Sequence, residues 1–209
     1  MRRAWRIIIL LGVAVAVAAG AGEAKAAFRI TSGAATAGQI DDVSAIGRWN
    51  AWAFGPASGW LLHYNGSWHQ VQPPSMPGAA TQWPNDVSLD SATSGWLVGR
   101  LGKAARWNGT AWEPVATPQP DPALYYYTLE DVLSLSPTNA WAIGEISGSR
   151  DNPVSNEALV EHWNGTRWRI VPTPAPTDIT FRSLAAHRAL DVWAVGFLLC
   201  TPARNRRCE

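Results

Sequence analysis

The chain has 209 residues, enough to bury a core in one domain or two small ones, and carries a net charge of +1. Only 16% of its residues are charged, whereas 18 glycines, 15 prolines and 13 tryptophans stand out, a composition that suits an all-β fold with many tight turns. Lysines and arginines form no cluster apart from Arg204, Arg206 and Arg207, which excludes the basic footprint of a nucleic-acid binder.

The N-terminus has the pattern of a processing segment. Arg2, Arg3 and Arg6 precede an uncharged, mostly apolar run over Ile7–Gly22, and Ala24-Lys25-Ala26 supplies small residues around a cleavage point. The run is shorter than the roughly 20 residues a spanning helix needs. A secreted or extracytoplasmic location follows, with an uncleaved membrane anchor as the alternative. Removing residues 1–26 takes away four of the 17 basic and one of the 16 acidic residues, leaving a net charge near −2.

The remainder is built from repeats. Ala51–Gly55, Gly95–Gly99, Ala140–Gly144 and Val192–Gly196 read AWAFG, GWLVG, AWAIG and VWAVG, their closing glycines 44, 45 and 52 residues apart. Before each lies an alternating run: DDVSAIG from Asp41, NDVSLDS from Asn85, EDVLSLS from Glu130 and a divergent RSLAAHR from Arg182. After the first three comes a hairpin signature centred on Asn65-Gly66, Asn108-Gly109 and Asn164-Gly165. Asn-Gly between alternating hydrophobics predicts a type I′ turn, with φ > 0 at both central residues.

Each unit thus predicts four strands, A to D, and a four-stranded repeat near 45 residues is the signature of a propeller blade. A lone blade leaves both faces bare, so blades stack on one another. Trp52, Trp96, Trp141 and Trp193 share one repeat position, Trp68, Trp112 and Trp168 another, and Tyr64, Trp107 and Trp163 a third. These ten aromatics are assigned to packing between blades.

The predicted organisation is a signal peptide over 1–26, an outer strand and linker over 27–39, blades over 40–80, 81–120 and 121–177, and a partial fourth blade over 178–209. The class is all-β, a propeller of four-stranded antiparallel blades with about three and a half present. Phe28-Arg29-Ile30-Thr31 reads as a lone strand D. It either closes the fourth blade, or the chain is part of a longer propeller or shares blades with another copy; exposed strand edges favour such association.

These repeats, closest in Leu129–Pro176, resemble those of exported bacterial tandem-repeat β-propeller proteins with the form DVWAVG…HWNGTxW, similar in appearance to kelch-type and Asp-box repeats. The resemblance implies a propeller and no defined activity. Blade one departs from it with Asn-Gly-Ser-Trp, one residue shorter than its counterparts, and the acidic residue of the Asp-box is missing, Tyr64, Trp107 and Trp163 standing before the asparagines.

Candidate chemistry is sparse. A sialidase-like hydrolase needs an arginine cluster and a Tyr/Glu pair, but Arg100, Arg106, Arg182, Glu145 and Tyr125–Tyr127 do not fall at matching blade positions. Cys200 and Cys208, eight residues apart in an exported chain, suit a disulfide closing a local loop. Two cysteines and four scattered histidines make no metal set, and no cofactor is expected. His63 and His162, in strand C beside an aromatic, read as blade residues.

The aromatics that look least structural are Trp49, Trp60, Trp83, Tyr125, Tyr126 and Tyr127. Aromatic faces at a blade rim stack on sugars or on apolar partner patches, and the same residues also serve to cap the propeller against solvent. The expected function is therefore a non-catalytic module binding a glycan or a surface protein. The alternatives are a glycan-processing enzyme or a fragment with no independent function.

Overall fold

The structure is a computed structural model, and it describes residues 40–55, 60–76, 83–119, 125–148, 156–173 and 179–198. The signal segment, the lone strand at Phe28–Thr31 and the Cys200–Cys208 pair lie outside the described residues.

The described chain is all-β. The first sheet runs β1 (Asp42–Gly47), β2 (Asn50–Gly55), β3 (Trp60–Tyr64), β4 (Trp68–Val71) in spatial order. The second runs β5 (Asp86–Ser91), β6 (Ser94–Val98), β7 (Ala104–Trp107), β8 (Trp112–Val115). The third comprises β9 (Tyr125–Ser136), β10 (Asn139–Gly148), β11 (Glu157–Trp163) and β12 (Trp168–Ile170), again in sequence order. A two-stranded sheet, β13 (Ile179–Arg188) with β14 (Asp191–Leu198), follows. All pairings are antiparallel. This is the propeller arrangement expected from the repeats, each sheet an up-and-down meander stacked against the next.

The Asp-Val-Ser motif ties the sheets together. Strands β1, β5, β9 and β13 lie side by side, and short polar side chains on one cap the backbone amides of the next. Leu89 donates its N–H to Ser44 Oγ at 3.0 Å, and Val132 to Asp86 Oδ2 at 2.6 Å. Ser134 donates to Ser88 Oγ at 3.0 Å, and Leu184 to Asp131 Oδ2 at 2.7 Å. Strand A is never the sheet-paired neighbour of the next blade's strand A, so these side chains do the work that a ladder would do.

Between sheets the tryptophans interlock. Trp52 lies 4.9 Å from Trp107 and 5.3 Å from Trp112, ring centre to ring centre. Trp96 repeats the contact one blade later, 4.7 Å from Trp163 and 4.8 Å from Trp168. Edge-on aromatic pairs of this kind contribute about 0.5–1.5 kcal/mol each beyond the area they bury.

The Asn-Gly turns differ from the expectation. Gly66, Gly109 and Gly165 have φ of 120°, 98° and 95°, but none of the preceding asparagines has positive φ, so these are not type I′ turns. Trp107 pairs with Trp112 and Trp163 with Trp168, leaving four-residue loops in which the asparagine stays in ordinary backbone space. There the Asn108 side chain caps the loop, its Oδ1 accepting from the amides of Thr110 and Ala111, both at 2.9 Å. In the first blade Tyr64 pairs with Trp68, a three-residue loop, as its shorter sequence implies. Among the described residues, two consecutive positive φ values occur instead at Leu101 (56°) and Gly102 (60°), which join β6 to β7.

Candidate partner-binding site on the fourth sheet

The expected rim aromatics do not converge. Trp49 is exposed, stacked at 6.4 Å on Tyr64 with the Arg48 guanidinium 4.8 Å from its ring. Tyr126 is exposed on β9. Trp83 is buried in the core between the first two sheets, its Nε1 donating to the Pro74 carbonyl at 3.4 Å. Tyr127, on β9, is buried in the core between the second and third sheets. Trp60 and Tyr125 open strands β3 and β9, paired with Gly55 and Gly148.

The groups considered for hydrolysis are dispersed and engaged. Arg106 donates to the Pro137 carbonyl at 3.0 Å and lies over Trp96 and Trp163. Arg182 pairs with Glu130 at 3.0 Å. Glu145 Oε2 accepts from Thr180 Oγ1 at 2.8 Å and from Asn156 Nδ2 at 3.4 Å. His63 and His162 stack on Trp52 and Trp141 at 4.2 and 4.3 Å and bond Asn50 and Asn139, and burial lowers the pKa of both. They are blade residues, as expected.

What the sequence did not reveal is the surface of the two-stranded sheet. Side chains on β14 alternate between its two faces. Val192 and Ala194 point toward the third sheet, and with Trp141, Ile143, Val160 and Leu184 they line an apolar cleft of about 560 Å³. Trp193, Val195 and Phe197 point the other way and are 66%, 61% and 45% exposed. Leu190, in the β13–β14 turn, is 98% exposed. Among the described residues no strand pairs with the outer edge of β14. An apolar cleft, a free strand edge and a bare apolar face therefore meet on one hairpin. The signal was present in VWAVGF, but its alternation reads the same whether or not a further strand covers it.

The hairpin is nonetheless held in place. Asp131 caps Leu184, Arg182 pairs with Glu130, and Asn139 Nδ2 donates to the Ala189 carbonyl at 3.3 Å. Ser183 stands where the preceding blades have Asp42, Asp86 and Asp131, so a hydroxyl takes the place of the capping carboxylate there.

Fold and site together define a β-propeller whose fourth sheet has two strands among the described residues. YCF48 from Cyanidioschyzon merolae is similar to this chain, with a TM-score of 0.55 at 16% sequence identity over 77% of this chain and 49% of that one. A structure of YCF48 bound to D1 peptide aligns with a TM-score of 0.43 at 15% identity, over 77% of this chain and 76% of that one. The chain thus spans about half the length of the first of these structures. At such identity the likeness shows the propeller fold alone. No protein-family model and no curated protein matches the sequence.

Proposed function

We propose that this chain is an exported, non-catalytic propeller module that binds a protein partner at the cell surface, through the fourth sheet. The observation that carries this is the continuous apolar surface of the β13–β14 hairpin, cleft on one face and Trp193, Val195 and Phe197 on the other. Monomeric surfaces rarely leave such patches bare, and an open strand edge beside one is a docking position for an extended segment. The propeller fold fits such a module. Glu130, Glu145 and Arg182, which border the site, are engaged in tying β13 to the third sheet, and Asp191 is the carboxylate on the hairpin's own outer strand.

The test is a peptide-display selection and a glycan array run on the folded chain, beside turnover assays on aryl glycosides. The proposal expects enriched peptides whose binding is lost in a Val195→Lys, Phe197→Lys variant that melts like the parent. Glycans captured in their place, or glycoside turnover, would overturn it.

A further inference from the structure

The two complete interfaces show what the open cleft lacks. Trp141 occupies the position of Trp52 and Trp96 in the repeat. Each of those rings is covered by two indoles from the next sheet, one on each side of its Asn-Gly loop: Trp107 and Trp112 on Trp52, Trp163 and Trp168 on Trp96. Over Trp141 the corresponding volume is the cleft.

The other contacts that receive those hairpins are also in place on the fourth sheet. Trp107 and Trp163 donate their Nε1 to the carbonyls of Ala92 and Pro137 in their own A–B turns, and Ala189 holds that position in the β13–β14 turn. Gly109 and Gly165 of the Asn-Gly loops sit against Thr93 and Thr138, and the equivalent residue is the almost fully exposed Leu190. The strand-C residue opposite each packing tryptophan is basic: His63 opposite Trp52, Arg106 opposite Trp96, His162 opposite Trp141. His63 and His162 bond Asn50 and Asn139, and at that position the fourth sheet has Asp191, whose Oδ1 accepts from the neighbouring Trp193 Nε1 at 2.9 Å and whose Oδ2 lies 3.8 Å from His187 Nδ1. A carboxylate in place of a carboxamide favours a cation.

We infer that the fourth sheet is a receptor for a β-hairpin of a partner polypeptide. The hairpin pairs with the free edge of β14, places two indoles five residues apart over Trp141, and sets arginine or histidine, immediately before the first indole, between Trp193 and Asp191. This rests on the binding role proposed above and gives its partner a chemistry. Main-chain pairing supplies affinity, and the paired indoles with the basic residue supply selection.

The experiment titrates the full chain with a labelled peptide of the repeat's own hairpin, Glu157–Val171, by fluorescence anisotropy. Saturable one-to-one binding is expected, abolished when the peptide carries Trp163→Ser and Trp168→Ser, and weakened when it carries His162→Glu. Because Leu190 and Trp193 are exposed, Leu190→Asp and Trp193→Ser leave the fold intact in a thermal melt. Each weakens binding by about two- to fivefold. Equal binding of the tryptophan-free peptide, or no binding to a chain that melts cooperatively, overturns the inference. If the display selection still enriches peptides that need Val195 and Phe197 but lack the paired aromatics, the binding role stands and the hairpin does not.

Discussion

Asp131 of β9 accepts the backbone N–H of Leu184 in β13 at 2.7 Å, one of the side-chain links that join the third sheet to the hairpin carrying the proposed site. Asp86 does the same for Val132 one blade earlier. The Asp-Val-Ser motif is thus a device for positioning one sheet on the next. Asp131→Ala leaves the Leu184 amide without its acceptor, a loss of about 1–3 kcal/mol. Hydrogen exchange in β13 and β14 should accelerate while β5 to β8 keep their protection; uniform acceleration would contradict this anchoring role.

Gly144 closes its repeat because a neighbouring carbonyl occupies the space of a side chain. Glu130 is an extra residue in β9, bulged between the pairs Asp131–Ile143 and Leu129–Gly144, and a Cβ on Gly144 would collide with the Thr128 carbonyl. Gly196 meets the Thr180 carbonyl in the same way, beside the bulged Arg182. Gly144→Ala is expected to cost about 1–3 kcal/mol through forced backbone shifts, measurable by urea denaturation. A neutral result would show that the bulge relaxes freely.

Much of this architecture was legible in the sequence. The repeated Trp-containing strands and their spacing fixed four-stranded sheets, because burial on both faces makes the same positions aromatic in every blade. The Asn-Gly loops were misjudged, because the asparagine's side-chain oxygen caps the loop in ordinary backbone space and leaves positive φ to the glycine alone. The true double positive-φ turn was missed because Leu101 gives no such signal. The open face of β14 was illegible for a different reason: alternation records that a face is apolar and not what lies against it.

Leu101 sits at φ 56°, a region that costs a bulky residue about 1–2 kcal/mol. Glycine would remove that strain at an entropic cost of about 0.5–1 kcal/mol. Leu101→Gly is therefore expected to stabilise the chain slightly, raising its melting temperature. A fall of several degrees would mean that packing of the Leu101 side chain outweighs the backbone strain.

Glu161 is fully buried in β11, with neither carboxylate oxygen hydrogen-bonded, at the position of Leu62 and Ala105 in the other blades. Burial pushes its pKa up to about 8. From an unfolded-state value near 4.3 up to that pH, the folded chain keeps a proton the unfolded chain has released, so stability falls as pH rises, by at most about 1.4 kcal/mol per unit. His63 and His162 act at the other end: held neutral, they contribute stability that is lost as pH drops below about 6.5. Glu161→Leu should raise the melting temperature more at pH 8 than at pH 5. An equal gain at both would show that the carboxyl is solvated.

The most direct measurement is native-state hydrogen exchange on β14 compared with β10, its counterpart in the third sheet. β10 is paired on both edges, to β9 and β11, whereas β14 is paired only to β13 among the described residues. The account predicts that alternate amides of β14 exchange rapidly in the free chain, while those of β10 exchange only on global unfolding. Protection of β14 equal to that of β10 would mean its outer edge is already taken, and the fourth sheet could not receive a partner strand.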